Sequence, residues 1–252
     1  MSAQTPILRL GTAVLFLTVA VLVGCEPTER TADDHDNKPT TKPAEVRKVE
    51  AGKNVVLEIQ GEQRRVLVNA TVVLQRGPLE LLVCRKQSKE HESILNADVD
   101  ARDIHKALLL AGAEPGKPAR YQEDGIKPPT GTKIKISLQY EHKGKRVTVS
   151  AGSWVRDMKT RKELKEDWVF GGSGFAKNVL DPKKPDIYLA NDTGDLICIS
   201  NFEDAMLDLP IASPKDDADR SFEAFSERIP ERDTKVLVVL EPVANAKNPN
   251  KK

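Results

Sequence analysis

The sequence predicts an α+β domain, a single unit with a mostly antiparallel sheet and two or three helices, and three observations point that way. Apolar and polar residues alternate over several short stretches bounded by turn residues, the pattern of strands with one buried and one wet face. One well-capped stretch of helical spacing interrupts them at residues 101–111. Valine, leucine and isoleucine supply most of the apolar material while aromatics make up 4% of the chain, a composition suited to pleated surfaces. The 252 residues accommodate one domain with flexible ends. A formal net charge of +1 lacks the single-sign field that nucleic-acid binding exploits, so no nucleic acid is expected as a partner.

The chain opens on an export signal. Arg9 is the only basic side chain ahead of an apolar run at residues 10–23, which is short for a helix that needs about 20 apolar residues to span a bilayer. The run ends in Leu22, Val23, Gly24 and Cys25, which looks like a bacterial lipobox, in which the cysteine thiol takes a diacylglyceryl group and becomes the mature N-terminus. Residues 1–24 therefore read as a signal peptide and Cys25 as the lipidation site. The expected product is a membrane-anchored lipoprotein of the cell envelope, facing the periplasm or the exterior. Residues 25–53 are rich in Pro, Thr, Asp, Lys and Glu without an apolar period, too polar to offset the entropy of ordering, and read as a flexible linker. His35, among Asp33, Asp34 and Asp36, belongs to that solvated run. The folded domain is expected over residues 54–241 and a disordered tail over 242–252.

Within the domain, residues 55–59 and 65–74 form a hairpin around Gln60, Gly61, Glu62 and Gln63, with Val66, Val68, Ala70, Val72 and Leu74 on the buried face. Gly77 and Pro78 break the chain before a third strand at 79–84. A polar crossover leads to the helix, which Asp100 caps, Asp103 supports near its positive end, and Gly112 and Pro115 terminate. Residues 133–140 and 146–151 make a second hairpin around His142, Lys143, Gly144 and Lys145. A loop is expected at 153–164, strands at 168–170, 187–190 and 196–200, a turn at 191–195, a helix near 221–227 using Phe222 and Phe225, and a last strand at 235–240.

Several segments together resemble the bacterial YdjY-domain family: KEHES at 89–93, ALLLAGAEPG at 107–116, PPTGT at 128–132, WVFGGSGF at 168–175, GDLICISNF at 194–202 and AMLDLPIAS at 205–213. The resemblance covers most of the chain after the linker. It implies an uncharacterised exported protein, and the family is sometimes labelled ferredoxin-like.

The residues do not support that label. With Cys25 acylated, only Cys84 and Cys198 remain, so a four-thiolate cluster is excluded, as is structural zinc of the CxxC type. Both cysteines lie in apolar strands; they are two buried free thiols, or a disulfide if the strands bring their Cα atoms within about 4.4–6.8 Å. The glycines at 171, 172 and 174 lack the spacing of a phosphate loop, and Phe175 stands where a nucleophile elbow needs glycine. His91 is followed four residues later by Leu95, so no zincin helix exists; Ala101 and Ala107 break any calcium loop beginning at Asn96. No cofactor and no metal are therefore expected. The candidate binding residues are His91, Glu92 and Ser93 in the crossover, His105 at the border of the helix's apolar face, and Asn201 and Asp208 further on. The leading expectation is a non-enzymatic binding or assembly module attached to the membrane by its lipid. The alternative is a metal-dependent enzyme using His91, Glu92 and His105. Reaction, protein or small-molecule partner, and oligomeric state are not written in the sequence.

Overall fold

A computed structural model describes residues 45–123, 125–179, 181–212 and 222–243; the signal peptide, Cys25, most of the linker and most of the tail lie outside the described residues. The strands of the main sheet are β1 (Val46–Gly52), β2 (Val55–Gln60), β3 (Gln63–Val72), β4 (Leu81–Arg85), β5 (Ser93–Ala97), β6 (Lys133–His142), β7 (Lys145–Ser150), β8 (Trp168–Phe170), β9 (Asp195–Cys198), β10 (Leu207–Asp208) and β11 (Lys235–Pro242). Helix α1 (Ala101–Leu110) and the single turn α2 (Leu189–Thr193) accompany them.

The order across the sheet is β1-β2-β3-β11-β6-β8-β10-β9-β4-β5, with β7 added on β6. Strand β5 then turns back to pair with β3, Thr71 opposite Asn96 and Val72 opposite Leu95, which closes a barrel of eight strands. β1, β2 and β7 lie outside that ring as extensions of its longest strands. The C-terminal strand β11 occupies the middle of the assembly, paired with β3 on one side and β6 on the other.

Alternation explains which faces turn inward. On β3, Val66, Val68, Ala70 and Val72 are buried, and they meet Val236, Val238 and Leu240 of β11 and Ile134, Ile136 and Leu138 of β6 in one core. Leu82, Ile94, Leu196 and Phe170 complete the barrel interior. Each such side chain, fully buried, stabilises the fold by roughly 1.5–3 kcal/mol relative to exposure. Helix α1 lies against β1, β2 and β3 and adds Ile104, Ala107 and Leu108 to the same core. Its contact with β1 is close enough that a Cβ on Gly52 would overlap the Asp103 carboxylate. As the sequence predicts, the Asp100 side chain accepts from Arg102 N at 2.9 Å at the helix start, and Gly112 follows the helix with φ 91°.

The architecture corrects the expected fold class. Strands dominate and the sheet closes on itself, so the protein is a β-barrel with one substantial helix and not a balanced α+β fold. The helix expected near 221–227 is, over Phe222–Ala224, a strand, which pairs with Val155–Asp157 inside the segment expected to be a loop. Phe222 and Ala224 are buried with Glu223 between them less so. That two-residue period wins over the three-residue Phe222–Phe225 spacing that suggested a helix. The strand at 187–190 stops at Tyr188 and the expected turn is α2, ended by Gly194 at φ 90°. Two of the pairings are parallel, β4 with β5 and β9 with β10, where only antiparallel hairpins were legible. Strand β1 lies within the residues expected to be linker, because it hairpins onto β2 through Lys53 and Asn54.

Candidate functional site

The parallel pairing of β4 with β5 forces residues 86–92 to double back in a tight crossover, and this loop organises the first group of candidates. Gln87 takes a positive φ of 64°, Ser88 Oγ donates to the Arg85 carbonyl at 2.5 Å, and Glu90 accepts from Gln87 N at 3.0 Å and from the Asn96 amide. Those donors hold the Glu90 carboxyl below its ordinary range. Ser93 is fully buried and donates to the Leu95 carbonyl at 2.8 Å. His91 points outward, its side chain 77% exposed, with Glu92 at 3.7 Å.

The residue of this loop that turns inward is Lys89. Its ammonium lies 2.7 Å from Asp195 Oδ1 and 4.5 Å above the Phe202 ring. Burial works against the charged lysine, but the Asp195 carboxylate outweighs it and raises the Lys89 pKa. Burial raises the Asp195 pKa despite its lysine partner. Next to this pair, Asn201 and Asp208 close the loop that follows β9. Asp208 accepts from Leu209 N at 2.7 Å, from Phe202 N at 3.1 Å and from Asn201 Nδ2 at 3.4 Å, while Asn201 Nδ2 also lies 3.1 Å from the Leu209 carbonyl. Burial pushes the Asp208 carboxyl up to about 8 against those three donors. The Cys198 thiol is pushed up by burial and then by Asp195 and Asp208. These contacts tie β9, β10 and the crossover together.

Cys84 and Cys198 are both free and buried, packed with Leu81 and Ala205 in a small apolar cluster. The register explains why they do not join: Cys198 faces Leu81 and Cys84 faces Asp195 on neighbouring strands.

His105 sits elsewhere, on α1. Its Nδ1 is 2.9 Å from Tyr188 Oη, and the Tyr188 hydroxyl donates to the Gly172 carbonyl at 3.1 Å. A phenol has one proton, so His105 Nδ1 carries the hydrogen of their contact and the lone pair stays on Nε2. The ring stacks edge-on against Phe170 at 4.8 Å, and burial lowers its pKa. Glycines let backbone close in around it: Gly172 (φ 88°) packs on Pro115, and a Cβ on Gly131 (φ 141°) would overlap the Phe170 carbonyl. His105 thus has partners for its ring faces and its N–H. Among the described residues no three His, Cys, Asp or Glu side chains are grouped to hold a metal ion, and the structure does not bring His91, Glu92 and His105 into one cluster.

A concave feature lies on the face of β3, β11, β6 and their extensions that points out of the barrel, meeting the crossover network only at Lys86 and Asn96. It is a groove of about 1100 Å³. Its floor is Leu67 and Val239, which face each other across β3 and β11, with Leu237 between Asn69 and Gln139. Leu67 and Val239 are only 6% and 3% exposed although they lie outside the barrel core. A polar row crosses one end, from Asn96 through Thr71, Lys235 and Glu141 to Arg146, in which Lys235 Nζ meets Thr71 Oγ1 at 3.1 Å. At the other end Glu58 pairs with Arg65 and, at 3.6 Å, with Lys48. The cations Lys48, Arg65, Lys86, Arg146 and Lys235 are nearly balanced by Glu58, Asp98, Glu141 and Asp233. No motif encodes this groove; its residues are the outward positions of strands separated by up to two hundred residues, and only the pairing register assembles them.

Comparison with known proteins agrees with the barrel's extent. The YdjY domain matches residues 57–241, from β2 through most of β11. The chain belongs to the YdjY-domain family. Neither the curated proteins nor the solved structures compared with it gave a match.

Proposed function

We propose that this chain is a lipid-anchored envelope protein whose barrel is a non-enzymatic binding module, and that the outer groove receives an elongated polar ligand of low net charge. The observation that carries the reading is the groove itself: an apolar floor of Leu67, Leu237 and Val239 flanked by the amides of Asn69 and Gln139 and rimmed by nearly balanced charges. The partly exposed Leu237 offers the apolar contact, while amides and rim charges set orientation. Balanced rim charges disfavour a strongly anionic or cationic partner. Anchoring rests on the lipobox residues ending at Cys25.

The test is native mass spectrometry of the full chain recovered from its own membrane in mild detergent. The expected result is a co-purifying adduct of discrete mass that is lost in Leu237→Arg, a variant that retains the wild-type melting temperature. A wild-type chain without an adduct, or an adduct indifferent to Leu237→Arg, overturns the reading. For the anchor, Cys25→Ser is expected to abolish incorporation of a labelled lipid precursor, and undiminished labelling refutes it.

A further inference from the structure

Strand β1 pairs with β2 and has no strand on its other side among the described residues. It is unusually open for an edge, since Val46 to Glu50 are all exposed, Val46 at 45% and Val49 at 36%. An unpaired edge is a row of free backbone donors and acceptors, a template for another strand. We propose that this edge receives a second copy of itself, so that two chains form a two-fold dimer through antiparallel β1–β1 pairing.

Among registers centred on residues 47–50, the charges choose one. With the two-fold axis perpendicular to a continuous sheet, residues opposite each other lie on the same face, so their positions differ by an even number and one residue faces itself on the axis. Placing Arg47, Lys48 or Glu50 on the axis sets like charges against each other, which is destabilising. Placing Val49 there does not. Val49 then meets Val49 of the second copy, Lys48 meets its Glu50, and Glu50 meets its Lys48, giving two opposite-charge pairs around an apolar centre. Both charged residues belong to the outer face: Lys48 lies opposite Glu58 of β2 and Glu50 opposite Val56. Lys48 is 60% exposed and only 3.6 Å from Glu58 within its own chain, so it can reach across the seam. On the inner face, Arg47 falls opposite Ala51, where size and charge do not conflict. The irregularity in the β1–β2 register between Glu50 and Gly52 leaves residues 46–50 as the regular stretch, and the Val49-centred register places its Lys48–Glu50 pairs within it. Because Lys48 also lines the groove, the two grooves of such a dimer open on the same side of one sheet; the dimer itself does not depend on what the groove binds.

The test is sedimentation velocity of the full chain in detergent micelles with charge exchange at the seam. Wild type is expected to dimerise. Lys48→Glu and Glu50→Lys each put like charges opposite one another in both symmetric pairs and should weaken the dimer roughly tenfold or more. The double variant Lys48→Glu/Glu50→Lys restores attraction and should dimerise like wild type. Val49→Cys should give a disulfide-linked dimer on mild oxidation that neither wild type nor Val46→Cys gives, because residue 46 faces Gly52. All substitutions are at exposed positions, and circular dichroism establishes that each variant is folded. A monomeric wild type, singly substituted chains that dimerise normally, or a double variant that stays monomeric overturns the proposal.

Discussion

Asp208 is a buried carboxyl that accepts from three N–H groups, and burial raises its pKa. A folded-state value of about 8 lies above that of an unfolded aspartate, so the folded chain holds a proton that the unfolded chain releases. Its stabilisation is complete below about pH 4 and is lost as pH rises through about 8. Asp195 acts in the same direction. The melting temperature is therefore expected to fall between about pH 4 and about pH 8 and to level off above that, and Asp208→Asn should flatten that fall; an unchanged slope in the variant refutes the assignment. His105 works oppositely. Its pKa is lowered by burial, so its contribution is present at neutral pH and lost as pH drops through the ordinary histidine range and below. His105→Ala should cost on the order of 1–2 kcal/mol through its contacts with Phe170 and Tyr188, whereas exposed His91→Ala should stay within about 0.5 kcal/mol in urea unfolding. The sequence exposed both histidines as candidates, but only burial separates them, and burial is a property of the fold. Asn201 and Asp208 were also legible as candidates. Their working neighbours Lys89 and Asp195 were not, because a lysine in a polar loop and an aspartate after a glycine look solvated until β4 and β9 pair.

At the scale of elements, the crossover between β4 and β5 is the costly feature, and the Lys89–Asp195 pair holds it against β9. Removing one partner leaves a charge with no counterpart in a buried place. Lys89→Met should cost about 3 kcal/mol, and Lys89→Met with Asp195→Leu should recover most of the loss. The measurement is urea unfolding of all three proteins, and a double variant no better than the single one contradicts the account. Gly131 gives a second element-level expectation. Its positive φ and its approach to the Phe170 carbonyl allow no Cβ, so Gly131→Ala should destabilise by at least about 2 kcal/mol and loosen the contact of β8 with β6. Helix α1 and the two long hairpins were readable because their signals are local: a cap, a stop, alternation around a turn. The parallel pairs and the strand at Phe222–Ala224 were not, because their partners lie far away in the chain.

For the molecule as a whole, closure is what the sequence could not convey. Alternation states that a strand has a wet and a dry face, but the same pattern fits an open sheet under helices or a barrel closed on itself. The decision rests on two pairs, Thr71 with Asn96 and Val72 with Leu95. The domain boundary follows from the same topology. A soluble chain beginning at Asn54 loses β1 and the surface on which α1 rests, so it should melt lower than one beginning at Pro43, and a chain from Asn54 that melts identically contradicts the role given to β1.

The central position of β11 has a consequence for timing. Its partners β3 and β6 are made early, yet they cannot be joined until the last strand of the domain exists, and the contacts it brings are among the most distant in sequence. Without β11 the ring stays an open sheet with a gap between β3 and β6, so a growing chain keeps those two edges exposed until synthesis is almost over. For a chain exported as the lipid anchor proposed above requires, this ordering delays closure of the barrel until its C-terminal strand has been made. A chain ending before Lys235 should accordingly show no cooperative unfolding, and folding should start only when the C-terminus is released.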